Sequence, residues 1–204
     1  MLALKGDNKE TAKSRVRKVP QYLVWEVLDG QPLYRRGYKD VLRKLKTTEE
    51  IMGTSSYQAI ITSYITIVLA RQLDLTQYDF LIGEPGVHLE HKDNISNDIG
   101  IYNRLSGSQI SKKYTDFPAK IVIEIDIDID PDSMHDLEYL NKKTQKMLDF
   151  GVEKVIWVLT NIKKVIIATP ENAWLTMSWA NDIEIINAIH VNIQKYLDER
   201  DINV

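Results

Sequence analysis

Glu124, Asp126, Asp128 and Asp130 hold alternate positions in the stretch KIVIEIDIDIDPD, residues 120–132, and isoleucine holds every odd position from Ile121 to Ile129. A strand sends successive side chains to opposite faces, so this pattern writes one apolar face and one face of carboxylates. Same-face neighbours lie roughly 6.5–7 Å apart, close enough for like charges to raise one another's pKa. Water, a cation or a lysine must compensate that repulsion. Two readings follow. The carboxylates form the solvated side of a half-exposed strand, or they gather a hard divalent cation, which takes several carboxylate oxygens at one point.

Two further groups stand in relation to this strand. Asp98 follows Asn97 and opens a predicted strand in which Asp98, Gly100 and Tyr102 share one phase. Beyond Pro131 the sequence DLEYLNKKTQKMLDFGV predicts a helix carrying Lys142, Lys143 and Lys146. On a helical wheel its apolar arc is Leu137, Leu140, Thr144, Met147 and Leu148. Lys143 borders that arc, while Lys142 and Lys146 point further towards solvent. Lys143 is therefore the lysine able to lean back to the sheet, or else a boundary lysine whose stem covers apolar surface. Glu26 reads as a further acidic site residue or as a solvated hairpin position. The histidines are poor ligand candidates: His88 and His91 face opposite sides of a strand-like run, His135 lies near a helix start and His190 follows an apolar strand. No nucleophile elbow, phosphate loop or dinucleotide fingerprint is present.

The elements that must position these groups can be read from the pattern. A hairpin turns at Asp29-Gly30. Helical signals run over 47–73, with Ser55 or Ser56 as a cap. Strands are expected at 79–82, 86–90 and 98–103, then a polar, basic loop at 104–117. The acidic strand ends at Pro131, and the following helix reaches Phe150 with Gly151 in the C′ position. A buried strand at 155–159 follows, then strands at 165–168, 173–179 and 183–189, and a helix at 191–199. The expected fold is α/β, with a mixed β-sheet flanked by helices.

The composition sets outer limits. A chain of 204 residues, 44% hydrophobic, is expected to form a single domain over 19–204 after a basic, flexible arm at 1–18. There is no cysteine, which excludes disulfides and thiolate chemistry. No membrane span or signal peptide is legible, so a cytoplasmic protein is expected. Net charge is −3, yet residues 1–46 carry a balance of +7 and the remainder −10. Basic residues in one region can hold phosphates while carboxylates elsewhere hold metal.

Several segments together resemble the Uma-type restriction endonuclease family within the PD-(D/E)XK nuclease superfamily. WEVLDGQPLY is similar to that family's E-L-I-D-G hairpin, and SSYQAII to the opening of its first long helix, with Tyr57 where many members have histidine. NDIGIY resembles its P-D strand, with Asn97 in place of proline, and IVIEI its central strand. KKTQKMLDFGVEKVIWVL resembles its closing signature, with Lys143 eight residues before Gly151 and Met147 at a usual tyrosine position. The resemblance implies a restriction-endonuclease-like fold and hydrolysis of DNA phosphodiester bonds. It implies Asp98, Glu124 and Lys143 as catalytic residues, with Mg²⁺ (or Mn²⁺) held by Asp98, Glu124 and the Ile125 backbone carbonyl. The superfamily lysine two residues after the glutamate is replaced by Asp126, a third metal ligand or part of an overloaded face; Lys143 would supply the missing charge. DNA would be gripped by Arg35, Arg36, Lys39, Lys112 and Lys113, and a homodimer would suit cutting both strands. The departures at Asn97, Asp126 and Met147 leave an alternative: a catalytically silent nucleic-acid-binding or protein-interaction module on the same fold.

Overall fold

A computed structural model describes residues 19–127 and 132–203; the expected arm at 1–18 and Asp128, Ile129, Asp130 and Pro131 lie outside the described residues. In chain order the elements are β1 (Val24–Leu28), β2 (Gln31–Tyr34), α1 (Tyr38–Leu42), α2 (Glu49–Met52), α3 (Ser56–Gln72), β3 (Tyr78–Ile82), β4 (Gly86–Glu90), β5 (Asp93–Ser96) and β6 (Ile99–Asn103). Then come β7 (Ile121–Ile125), α4 (Asp136–Phe150), β8 (Lys154–Leu159), β9 (Lys164–Ala168), β10 (Leu175–Ser178), β11 (Ile183–Ile186), β12 (Ile189–Val191) and α5 (Ile193–Asp198).

The main sheet has the order β10-β9-β8-β7-β6-β3. Only β7 and β8 run parallel within it, and α4 is the crossover that parallel neighbours require. The sheet is covered on both faces. Ile99, Ile101, Ile121, Ile123 and Ile125 pack with Ile61, Ile65 and Leu69 of α3 and with α5. Tyr102, Val122, Val155 and Trp157 pack with Tyr139, Leu140, Met147 and Leu148 of α4. A second sheet, β2-β1-β5-β4, contributes Leu28, Leu33, Val87 and Ile95 to this same layer. Among the described residues no helix is long and apolar enough to cross a membrane.

Local chemistry explains the boundaries. The β1–β2 turn uses Asp29 (φ 52°) and Gly30 (φ 71°), the left-handed pair a two-residue hairpin favours. Ser55 Oγ accepts the Gln58 N–H (3.1 Å) and opens α3. Gly151 (φ 114°) ends α4, with its N–H on Leu148 O and that of Val152 on Met147 O, both 3.0 Å.

The structure corrects three sequence readings. The acidic strand stops at Ile125, and all five residues of β7 are buried, because a central strand between two helical layers has no solvated face. At Asp126 the chain turns into the left-handed region (φ 63°), its N–H bonded to Val158 O (2.9 Å). In α4 the buried arc is Tyr139, Leu140, Lys143, Thr144, Met147 and Leu148, while Leu137 is exposed. The second sheet covers the flank of α4 and widens the arc, so Lys143 lies inside it rather than at its edge. Finally, 183–189 is not one strand: it holds β11 and the start of β12, which pair as a hairpin turning at Asn187 (φ 48°) and Ala188 (φ 62°).

Candidate active site

Register brings the carboxylates together. The antiparallel β6–β7 ladder pairs Ile99 with Ile123, so Asp98, one residue before, and Glu124, one residue after, reach the same end of adjacent strands. Asp98 Oδ2 accepts the Ile125 N–H at 2.6 Å, and Asp98 stays partly exposed while Glu124 is only 5% exposed. Glu124 belongs to the phase that faces α4, as does Trp157, its partner in β8.

From α4, Lys143 reaches that face. Its Nζ lies 3.1 Å from Glu124 Oε1 and 3.0 Å from Glu26 Oε1, and it donates to Ser96 O at 2.7 Å. The rings of Tyr139 and Trp157 lie 5.5 and 5.7 Å from the ammonium. Glu26, on β1, is buried and saturated: Oε1 also accepts the Ser96 N–H (2.9 Å) and hydroxyl (3.2 Å), and Oε2 accepts the Tyr139 hydroxyl (2.6 Å). Asn97, with its amide nitrogen turned inward, donates to Glu124 Oε1 (3.1 Å) and Ser96 O (3.2 Å), contacts a proline there could not make. On the other flank Gln58, at the start of α3, donates to Ile125 O at 2.8 Å.

The charge balance is negative: Glu26 and Glu124 flank one ammonium, and Asp98 acts on Glu124 from the neighbouring strand. Burial pushes the Glu124 carboxyl well above its ordinary range; Lys143 opposes the rise, and the charges of Asp98 and Glu26 add to it. Burial alone would lower Lys143, yet Glu124 and Glu26 more than offset it and hold the ammonium well above its usual value. Burial, followed by the neighbouring Glu26 charge, likewise raises the Tyr139 phenol.

A cavity of about 20 Å³, room for one water or ion, is lined by Asp98, Glu124, Ile125, Asp126 and Lys143 among others. Asp126 reaches its wall with both oxygens already engaged, Oδ1 by the Thr160 N–H (2.7 Å) and Oδ2 by the Thr160 hydroxyl (2.6 Å). The predicted residues Asp98, Glu124, Ile125, Asp126 and Lys143 thus share one cavity. Arg35 does not match its sequence reading: it is 6% exposed, stacks 3.5 Å from the Trp25 ring centroid and donates to Met52 O (2.6 Å), so it is no surface phosphate contact. Lys146, read as solvent-facing, is held among Asp29, Glu90 and Asp93. Gln58, Ser96 and Tyr139 were not foreseen. Gln58 carried a signal, since 58, 61, 65 and 69 form the buried stripe of α3 and only Gln58 is polar.

No family model and no curated protein matches the chain. Among solved structures, a "putative nuclease belonging to DUF820" from Anabaena variabilis is similar at a TM-score of 0.58, covering 85% of this chain and 89% of that one. The fold is restriction-endonuclease-like. Sequence identity is 13%, so the likeness lies in the architecture, a mixed sheet between helices, and not in side chains.

Proposed function

We propose that this chain is a metal-dependent endonuclease hydrolysing DNA phosphodiester bonds, with Asp98, Glu124 and Lys143 as its catalytic residues and the Uma-type branch of the PD-(D/E)XK superfamily as its home. The observation that carries this reading is the meeting of two carboxylates from adjacent strand ends with a buried lysine from the crossover helix. The DUF820 neighbour, itself described as a "putative nuclease", supports it.

The donor set suits Mg²⁺ or Mn²⁺. Among the described residues no three His, Cys, Asp or Glu side chains converge into a metal cage. Magnesium does not need one, since one or two carboxylates, waters and substrate phosphate suffice. Asp98, Glu124 and the Ile125 carbonyl would hold it, and the negative charge of Asp98 and Glu26 about Glu124 is what a divalent cation would offset. When bound, the metal would supply Lewis-acid polarisation of the phosphate and a water of lowered pKa. The chain's own residues do the rest. Glu26 and Ser96 O hold Lys143 charged and aimed at the cavity, where it orients the attacking water and neutralises charge developing on the phosphoryl oxygens. Gln58 fixes the Ile125 carbonyl. Arg36, whose Nη2 lies 3.5 Å from Ile127 O and 3.4 Å from Asp136, and Lys39, paired with Asp132, would grip DNA phosphates by exchanging these carboxylates, with Lys112 and Lys113 of the 104–117 loop. A homodimer would present two such sites to the two strands.

One observation favours the alternative, a catalytically silent nucleic-acid-binding or protein-interaction module. Asp126 stands at the superfamily's lysine position with both oxygens engaged by Thr160, in a cavity with room for a single water. Incubation with supercoiled plasmid and Mg²⁺ or Mn²⁺ decides between them. Nicking or linearisation by the wild type, lost in Asp98→Asn and Glu124→Gln, establishes the nuclease. An inert wild type under both metals overturns the nuclease in favour of the silent module, and cleavage unchanged in both variants moves the site elsewhere.

A further inference from the structure

The basic loop 104–117 does not hang free. Thr115 bridges to Val87 of β4, donating its N–H to Gly86 O (3.0 Å) and accepting that of His88 (2.8 Å). This pins the neighbouring Tyr114 with its ring laid on Gly86: a Cβ at that glycine would fall 2.6 Å from the ring carbons. The tyrosine is nonetheless 60% exposed, so an aromatic surface is both fixed and open to solvent.

Tyr114 forms one wall of a cavity of about 490 Å³ that also takes in Trp25, Glu26, Glu84, Asn94 and Ser96. Trp25, Glu84 and Ser96 line the small catalytic cavity as well, so the two spaces are adjacent. Trp25 is itself fixed, by the Arg35 guanidinium stacked on it and bonded in turn to Glu84 (3.4 Å). The chemistry of the walls selects the occupant. The lining offers no lysine or arginine to take a phosphate, and its carboxylates Glu26 and Glu84 are engaged by Lys143 and Arg35, whereas aromatic rings with the Asn94 amide beside them suit a flat, uncharged ring bearing donors and acceptors.

We propose that Tyr114 and Trp25 form a binding site for an unpaired nucleobase next to the scissile phosphate, making nucleic acid with a single-stranded or extruded nucleotide the preferred substrate. This rests on the nuclease reading of the adjoining site. A base stacked inside a duplex cannot enter a pocket, while a single-stranded or flipped one can, and each stacked base contributes measurably to affinity.

The test reads binding rather than cleavage, with Ca²⁺ replacing Mg²⁺ and the full chain throughout. The probes are a DNA single strand, its RNA equivalent, a perfect duplex and a duplex with one bulged 2-aminopurine. Wild type is expected to bind the bulged duplex and at least one single strand more tightly than the perfect duplex, and to quench the 2-aminopurine. Tyr114→Ala should weaken bulge and single-strand binding about ten-fold or more and abolish quenching, leaving duplex binding unchanged. Tyr114→Phe should behave as wild type. Gly86→Ala should reproduce the loss by displacing the ring without removing it. The comparison of DNA with RNA shows which sugar the site accepts. Equal binding by wild type, Tyr114→Ala and Gly86→Ala, or a wild type with no preference for the unpaired forms, overturns the base site and leaves the nuclease intact. A wild type that binds none of the four probes overturns the nuclease reading as well.

Discussion

Two buried carboxylates face one buried ammonium at the centre of the molecule, and the mismatch decides how single substitutions behave. The folded-state pKa of Glu124 is raised above its ordinary 4.5, chiefly by burial, so the folded protein holds this proton more tightly than the unfolded chain does. Stability from that proton is fully present below 4.5 and is lost as pH rises through the folded value. Glu124→Gln removes the cost while Lys143 keeps Glu26 and Ser96 O as partners. The variant should therefore melt above wild type at pH 8 by about 2–4 °C for each kcal/mol relieved, with the gain vanishing near pH 4. Lys143→Met acts in the opposite sense, because it leaves Glu26 and Glu124 buried without a cation. A loss of about 3–5 kcal/mol is expected in denaturant titration at pH 8, shrinking as acid protonates the carboxyls. At this scale much was legible: lysine spacing singled out Lys143, and the carboxylates could be named. Asn97 and Ser96 could not be assigned roles, since their partners come from β7, α4 and the other sheet, which no local pattern announces.

The site's geometry is only as good as the element that carries Lys143, and α4 is fixed at its C-terminal end by Gly151. Two constraints meet there. The residue sits at φ 114°, and an added Cβ would lie 3.2 Å from Pro118 Cγ, just ahead of β7. Gly151→Ala should cost at least about 1–2 kcal/mol in chemical denaturation through the left-handed backbone alone. Helix boundaries of this kind were readable, because a glycine after a periodic run and a serine before one are local chemistry. The end of β7 was not. Alternating Ile and Asp reads as a half-solvated strand to residue 130, but the alternation carries past the point where Asp126 turns left-handed and bonds to Thr160. The hairpin formed by β11 and β12 is hidden for a similar reason: Asn187-Ala188 is a weak turn signal inside a run rich in isoleucine.

Across the whole molecule, the charge excess at the shared end of β6 and β7 would make binding of the proposed cation a folding term as well as a catalytic one. A ligand that binds the native state alone stabilises it by mass action, about 2.7 kcal/mol at a hundred times its dissociation constant, which for a chain of this size is roughly 5–10 °C in Tm. Mn²⁺ should raise the melting temperature of the wild type by that order. The shift should be larger at pH 8 than at pH 5, because the cation competes with the proton that burial holds on Glu124. Asp98→Asn and Glu124→Gln should each abolish most of it, although Glu124→Gln starts from the higher melting temperature. That combination separates a site that holds metal from a cluster that is merely structural. A structural cluster would show the pH-dependent gain in Glu124→Gln with no Mn²⁺ shift in the wild type, and the ion pair of Lys143 with Glu124 would then be an end in itself rather than the resting state of a metal centre.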